Sequence, residues 1–128
     1  MSDVRVLIVD DQTPFRNVAR TVVAIAPGFA VIGEAESGED AVARAAELAP
    51  DLVLMDINMP GINGIEATRR IKTEMPQATV FLLSTYAEHD LPSGARDCGA
   101  SAYINKESFE PAILRTLWDD GGDPNWAA

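Results

Sequence analysis

The feature that most constrains the fold is a fivefold alternation of short apolar runs with amphipathic stretches. The apolar runs are nearly continuous, which is typical of β-strands buried on both faces, and they lie at residues 4–9, 29–36, 51–55, 79–84 and 100–105. Because the connections between them are short, the strands must run parallel, with right-handed helical crossovers. The sequence therefore predicts a five-stranded parallel sheet with helices on both faces.

The stretches between the runs repeat apolar residues at helical spacing, and two of them carry local helix signals. Ser37 is a candidate N-cap with Asp40 as its partner, and Glu66 with Arg70 forms an i,i+4 ion pair on the exposed side of a helix over residues 65–75. Further helices are predicted after residue 12, over 109–118, and over part of 88–99. Pro92 and Gly94 weaken the helix in 88–99, so we expect it to start near residue 90.

Five strands and five helices of this size predict an α/β, doubly wound, flavodoxin-like fold with strand order 2-1-3-4-5. Residues 1–120 are enough for one domain with a single core, and residues 121–128 are expected to be a tail or a linker remnant. Trp126 in this tail could dock locally, but the sequence offers no packing pattern for it.

Charge and composition exclude several classes of function. The chain has 20 acidic against 10 basic residues, a formal net charge of −10, which argues against nucleic acid or an anionic membrane as a partner of this domain. No apolar run approaches the ~20 residues needed to cross a bilayer, and no signal-peptide pattern is present. The single Cys98 agrees with a reducing compartment, so a cytoplasmic location is expected.

Polar and charged residues stand at the carboxyl ends of the predicted strands. Asp10 and Asp11 follow the first strand, Asp56 the third, Ser84 the fourth and Lys106 the fifth. In sheets of this kind, ligands bind at this edge. Taken alone, Asp56 could equally be a solvated residue at a strand end.

Three carboxylates at one edge repel one another, at about 3 kcal/mol for each pair at ~5 Å and an effective dielectric near 20. Lys106 supplies one compensating charge, and a hard divalent cation with oxygen ligands, Mg²⁺, would supply the rest. A carboxylate beside Mg²⁺ can act as a nucleophile toward phosphorus and form an aspartyl phosphate. Lys106 would neutralise charge on the phosphoryl oxygens, and Ser84 would donate a hydrogen bond to one of them.

Four motifs in the expected order now carry a family resemblance: VLIVDD at 6–11, LVLMDINMPGINGIE at 52–66, FLLST at 81–85 and GASAYINKES at 99–108. The chain resembles the response-regulator receiver domains of two-component signalling, from residue 4 to about residue 117. The sequence of residues 99–107 is most similar to that of the family branch that usually carries a helix-turn-helix output domain.

The resemblance implies a role for each matching residue in the acidic site. Asp56 would accept the phosphoryl group, and Asp11 would be the main acidic Mg²⁺ ligand. Asp10 would assist, and Asn58 would contribute its main-chain carbonyl. Lys106 would contact the phosphate.

The resemblance also implies a switch and partners. Ser84 would be the switch hydroxyl and Tyr103 the switch aromatic residue. A sensor histidine kinase would donate the phosphoryl group, and the receiver would catalyse only its own phosphorylation and dephosphorylation. Transcription regulation would follow through a domain outside this chain. The face from the predicted fourth helix to the fifth would be a possible homodimer surface.

The chain departs from the family pattern in three respects. Glu107 stands where many receivers have a proline, often with a cis bond, and we predict a trans Lys106–Glu107 peptide because a non-proline cis bond costs ~2.5–4 kcal/mol. Ser84 replaces the commoner threonine. No output domain follows residue 128, so the chain is either a single-domain regulator or part of a longer protein.

Other interpretations stay open for single residues. Asp10 could cap a helix, Asn58 could be a turn residue, Ser84 a strand-end hydroxyl, Tyr103 ordinary core and Lys106 a surface charge. His89 is expected to be a solvated loop residue.

Three rival functions share the predicted fold. A flavin binder would need a Gly/Ser/Thr-rich loop after the first strand, where the sequence has adjacent acids. An Asp-nucleophile phosphatase would need two acids separated by one residue at that position. A receiver-like interaction module that is never phosphorylated is the third.

Overall fold

The computed structural model describes residues 3–126, and its centre is a single parallel sheet of five strands in the order β2-β1-β3-β4-β5, as predicted. The bounds are β1 Val4–Val9, β2 Phe29–Ala35, β3 Leu52–Asp56, β4 Thr79–Ser84 and β5 Ala102–Asn105. Strand β3 is buried along its whole length, and β1 and β4 are buried over their last four and five residues. This burial explains why their sequences are apolar without alternation.

Four α-helices cover the two faces of the sheet: α1 Thr13–Ile25, α2 Gly38–Leu48, α3 Gly64–Glu74 and α4 Pro111–Asp119. Helices α1 and α4 share one core cluster with Val6 and Ile8 of β1, while α2 and α3 share the other with Leu7 and Val9. Alternate residues of one strand thus point into opposite cores, as the pleat of a strand requires.

The predicted N-cap and ion pair form, but the Asp40 carboxylate accepts from the N–H of Glu36 at 3.4 Å rather than from that of Ser37, so the capping box is not completed as predicted. The Ser37 hydroxyl accepts a hydrogen bond from the main-chain N–H of Asp40 at 3.0 Å, which caps α2. Arg70 and Glu66 form the predicted pair on α3 at 3.0 Å. The Lys106–Glu107 peptide is trans, since the described part of the chain has no cis peptide bond, and this prediction is confirmed.

The predicted helix count of five is wrong, because residues 88–99 do not form an α-helix. A short 3-10 helix, Glu88–Asp90, is followed by successive turns. Pro92 has no N–H to donate and forces Leu91 into an extended conformation, with ψ at 143°. Gly94 then adopts a left-handed conformation with φ at +88°. The two breakers leave too few consecutive residues to nucleate a helix.

Residues 121–126 pack on the domain, although the sequence offers no packing pattern for them. The N–H of Gly122 donates to the carbonyl of Leu117, and the N–H of Asp123 donates to the carbonyl of Ser101 beside β5. Trp126 is buried. Of the predicted tail, residues 127 and 128 lie outside the described residues.

Between residues 3 and 126, no helix has both the length and the apolar character needed to span a membrane.

Candidate functional site

Three carboxylates meet at the carboxyl edge of the sheet, as the strand order requires. Asp56 is the last residue of β3, and Asp10 and Asp11 follow β1, its neighbour in the sheet. Each of the three offers an oxygen within 4.8 Å of the others. Asp10 and Asp56 are buried and Asp11 is partly exposed, so the cluster opens to solvent on the side of Asp11.

Lys106 closes the cluster from the end of β5. Its Nζ lies 2.6 Å from an oxygen of Asp10 and 3.2 Å from one of Asp56. The same ammonium lies 4.5 Å from the centre of the Phe15 ring. One ammonium against three carboxylates leaves two formal negative charges, which favours binding of a divalent cation here.

Burial and charge act against each other on these groups. Desolvation, with the neighbouring charge of Asp10, raises the pKa of Asp56 from 3.8 to about 6, although Lys106 lowers it. Burial by itself lowers the pKa of Lys106, but its hydrogen bond to Asp10 and the charges of Asp56 and Asp10 outweigh burial and raise it. Ionising Asp56 in the folded protein therefore costs free energy, and a bound cation would lower this cost.

The loop after Asp56 is fixed by a close approach of two backbones. A Cβ on Gly64 would lie 2.0 Å from the carbonyl oxygen of Asp56, and the N–H of Gly64 donates to the carbonyl of Ile57 at 2.9 Å. Asn63 caps α3 by accepting from the N–H of Glu66. Helix α3 therefore starts directly against the end of β3, and residues 57–63 must form a tight loop beside the acids.

Asn58 in this loop is exposed, and its side-chain oxygen accepts a hydrogen bond from the Tyr86 hydroxyl at 3.4 Å. Its side chain is therefore engaged with the loop after β4. The expected metal contribution of Asn58 involves its main-chain carbonyl, which this contact does not use.

Ser84 and Tyr103 meet at the end of β4. The Ser84 hydroxyl is buried and accepts from the N–H of Tyr86 at 3.1 Å. The Tyr103 hydroxyl lies 3.0 Å from the carbonyl oxygen of Ser84 and also bonds the carbonyl of Tyr86. The Tyr103 ring is thus turned toward β4, and its position depends on the backbone that carries Ser84.

Two residues that border the site have no role predicted from the sequence. One is Phe15, whose ring faces the Lys106 ammonium. Arg16 is almost wholly buried, donates to the carbonyl of Asp10 at 2.7 Å and pairs with Glu34 at 3.3 Å. The available signal was their place in the first turn of α1, directly after the paired acids.

A family model for the response regulator receiver domain matches residues 6–117. The chain is 40% identical over 114 residues to the response regulator UvrY of Escherichia coli K12, covering 89% of this chain and 52% of UvrY. It is 35% identical over 114 residues to the transcriptional regulatory protein DegU of Brevibacillus brevis, covering 89% of this chain and 48% of DegU. The chain thus spans about half the length of these relatives.

A solved structure of a LuxR-family two-component response regulator from Aurantimonas sp. SI85-9A1 superposes with a TM-score of 0.82 at 34% identity, covering 93% of this chain and 84% of that one. The family match and the acid cluster agree with the receiver interpretation and do not favour the flavin-binding or phosphatase alternatives. The chain belongs to the response regulator receiver domain family.

Proposed function

We propose that this receiver domain accepts a phosphoryl group on Asp56 from the phosphohistidine of a sensor histidine kinase, in a Mg²⁺-dependent reaction. The observation that carries the proposal is the buried contact of Asp56 with Lys106, inside a cluster completed by Asp10 and Asp11. A buried acid with a raised pKa, held among like charges at a strand end, supports a functional role for this cluster.

The chemistry needs no general base, because the transfer uses an ionised carboxylate. An oxygen of Asp56 attacks phosphorus, a P–O bond forms, and the P–N bond to the donor imidazole breaks with its electron pair leaving on nitrogen. The Lys106 ammonium, already 3.2 Å from Asp56, is close enough to contact a phosphoryl oxygen. Ser84 would donate its hydroxyl hydrogen to another of these oxygens.

The donor set suits Mg²⁺, since it consists of carboxylate oxygens within 4.8 Å of one another and carries excess negative charge. Asp11 and Asp56 would hold the ion, with Asp10 assisting and the carbonyl of Asn58 completing the protein's share. Bound Mg²⁺ would neutralise charge on the transferred phosphoryl group.

The switch uses Ser84 and Tyr103. Movement of Ser84 toward the phosphoryl group would vacate space at the end of β4, and the Tyr103 ring would move into that space. A shift of this kind needs a differential interaction of only a few kcal/mol between the two states. The output surface would be the face of β5 and α4, including the groove lined by Tyr103, Ile113 and Leu117.

The biological role that fits is a signalling domain acting in the cytoplasm, which catalyses its own phosphorylation and dephosphorylation only. Regulation of transcription, which the name of the relative DegU states for that protein, would act through a domain outside this chain. A homodimer through the face formed by residues 88–99, β5 and α4 would transmit such a switch.

Mass spectrometry of the intact protein after treatment with acetyl phosphate and Mg²⁺ tests the proposal. We expect a gain of one phosphoryl group in the native protein and none after Asp56→Asn. The matched control is Asp97→Asn. The Asp97 side chain is 83% exposed and does not belong to the cluster, so this variant should react normally. A phosphoryl gain in the Asp56→Asn protein would overturn the assignment.

A further inference from the structure

Residues 121–126 fold back after α4 and lie beside the edge strand β5; we name this segment the C-terminal latch. Three hydrogen bonds between main-chain groups join it to the domain: from the N–H of Gly121 to the carbonyl of Trp118 at 3.1 Å, from the N–H of Gly122 to that of Leu117 at 2.8 Å, and from the N–H of Asp123 to that of Ser101 at 2.9 Å. The bond from Asp123 occupies the carbonyl of Ser101, the residue directly before β5. The latch is thus docked by specific contacts.

The return of the chain depends on Gly122. Its φ is +121°, and a Cβ built there would lie 2.5 Å from the carbonyl oxygen of Ser101. A side chain at this position therefore meets backbone that cannot move without disturbing β5. Gly121 also has a positive φ, +73°, but nothing lies within 4 Å of its added Cβ.

Trp126 anchors the latch. Its side chain is 2% exposed and stacks on Tyr103, with ring centres 6.0 Å apart and planes at 27°. The Arg96 guanidinium lies 4.7 Å from the Trp126 ring centre and donates to the Trp126 carbonyl at 2.7 Å. The indole belongs to the same core cluster as Ala95 and Cys98. It therefore packs beside residues 88–99, which form turns rather than an α-helix.

The docking has a built-in weakness. The buried indole Nε1 of Trp126 has no hydrogen-bond acceptor among the residues that the structure describes. A buried donor without a partner lowers the stability of the docked state relative to the released one. Such a contact is suited to reversible docking.

Tyr103 connects the latch to the phosphorylation site. One side of its ring stacks on Trp126, and its hydroxyl bonds the carbonyls of Ser84 and Tyr86. Because β5 is an edge strand, rotation of Tyr103 away from β4 would remove the surface on which Trp126 rests. The docked latch therefore selects the position of Tyr103 turned toward β4.

We propose that the C-terminal latch senses the phosphorylation state: phosphorylation of Asp56 tightens the docking of Trp126, and docked Trp126 in turn favours the phosphorylated state. The inference rests on the proposed function. The structure shows the docked latch with Tyr103 already turned toward β4, and phosphorylation would raise the fraction of molecules in this state. The reciprocal effect follows from linkage, since two events that favour one conformation must favour each other. Trp126 is then a positioning residue that acts through Tyr103.

The first test reads the latch directly by tryptophan fluorescence. Trp118→Phe leaves Trp126 as the single tryptophan and keeps an aromatic ring against Phe29. Trp126 is already buried when the latch is docked, so a change can come only from molecules whose latch is released. On addition of acetyl phosphate and Mg²⁺, we expect these molecules to dock, so that the emission of Trp126 moves to shorter wavelength and its quenching by acrylamide falls. The same protein with Asp56→Asn should show neither change.

The outcomes separate the latch from the proposed function. A protein that gains a phosphoryl group by mass spectrometry without a change at Trp126, or with a change toward exposure, overturns the latch and leaves the proposed function standing. A protein that gains no phosphoryl group overturns both.

The second test measures the reciprocal effect on phosphorylation. Trp126→Ala and Gly122→Ala both remove docking, the second without touching the Tyr103 contact itself. We expect each to lower the phosphorylated fraction at steady state by about three- to tenfold, the range for one stacked pair and one charge-assisted hydrogen bond. Trp126→Phe, which keeps a stacking ring, should recover most of the loss.

Gly121→Asn is the matched control, because asparagine tolerates a left-handed conformation and no atom obstructs it. Its phosphorylated fraction should stay at the native level. Native phosphorylation in both Trp126→Ala and Gly122→Ala proteins, with circular dichroism unchanged, would overturn the proposal.

Discussion

At the residue scale, Asp56 is the position where burial and charge conflict most strongly. Its carboxylate is 4% exposed, its nearest charged neighbours include Asp10, and its pKa is raised to about 6. The folded protein therefore binds this proton more tightly than the unfolded chain does. The stability present below the unfolded pKa near 3.8 is lost as pH rises through about 6. Near neutral pH the ionised Asp56 destabilises the fold in the absence of a cation.

Asp56→Asn should remove this pH-dependent loss. A difference of about two pKa units corresponds to ~3 kcal/mol, so we expect the variant to be about 2–3 kcal/mol more stable than the native protein at about pH 7.5 in EDTA. The advantage should shrink as the pH approaches 4. Urea unfolding at several pH values measures it. Asp97→Asn, at an exposed position, should change stability little at any pH. An Asp56→Asn protein with no advantage at neutral pH would contradict the raised pKa.

At the scale of the element, the start of helix α3 is set by a close contact with β3 rather than by helix propensity. Gly64 is the first residue of α3, where propensity alone would favour alanine by ~1 kcal/mol. The structure places the carbonyl oxygen of Asp56 2.0 Å from where a Cβ would stand. The start of the helix is therefore fixed by the strand that it passes.

Gly64→Ala should consequently destabilise the fold by about 3 kcal/mol or more, opposite in sign to the propensity expectation, because backbone on both sides must move. Thermal or urea unfolding measures the change. Thr73→Ala, at an exposed position near the end of the same helix, should stay within about 0.5 kcal/mol of the native value. A neutral or stabilising Gly64→Ala would show that α3 starts elsewhere.

We expect the segment from residue 88 to 99 to be the least stable part of the fold. Its main-chain hydrogen bonds are isolated turns, such as those from the N–H of Ala95 to the carbonyl of Pro92 and from the N–H of Asp97 to the carbonyl of Gly94. We expect its amides to exchange with solvent far faster than those of α3 in native-state hydrogen exchange. Protection equal to that of α3 would indicate a continuous helix over residues 88–99 in solution.

At the scale of the whole molecule, acidic charge is in excess, and the acid cluster concentrates part of it. The formal net charge of −10 destabilises the compact state by self-repulsion. A cation bound at Asp10, Asp11 and Asp56 would relieve both the local and the general repulsion, whereas salt would relieve only the general one.

Mg²⁺ should therefore raise the unfolding temperature of the native protein above the level reached in NaCl of matched ionic strength. At a concentration about 100-fold above its dissociation constant, Mg²⁺ should add ~2.7 kcal/mol. Asp11→Asn should lose most of this increment while keeping the response to NaCl. Calorimetry in both salts measures it. Equal effects of the two salts on the native protein would argue against a specific cation site.

The sequence by itself determined the parallel sheet and its order, because apolar runs separated by helical periods allow few other arrangements. It also brought Asp10, Asp11, Asp56 and Lys106 to one edge, since residues that end neighbouring parallel strands must meet there. The roles of Asn58, Ser84 and Tyr103 rest on resemblance and stay predictions.

Only the tertiary structure decided the rest. The pairing of the buried Arg16 with Glu34 and the docking of Trp126 on Tyr103 depend on contacts between residues far apart in the chain. Local propensity and periodicity describe a segment and its neighbours along the chain. They contain no information on which buried surface remains uncovered, and that surface is where Trp126 binds.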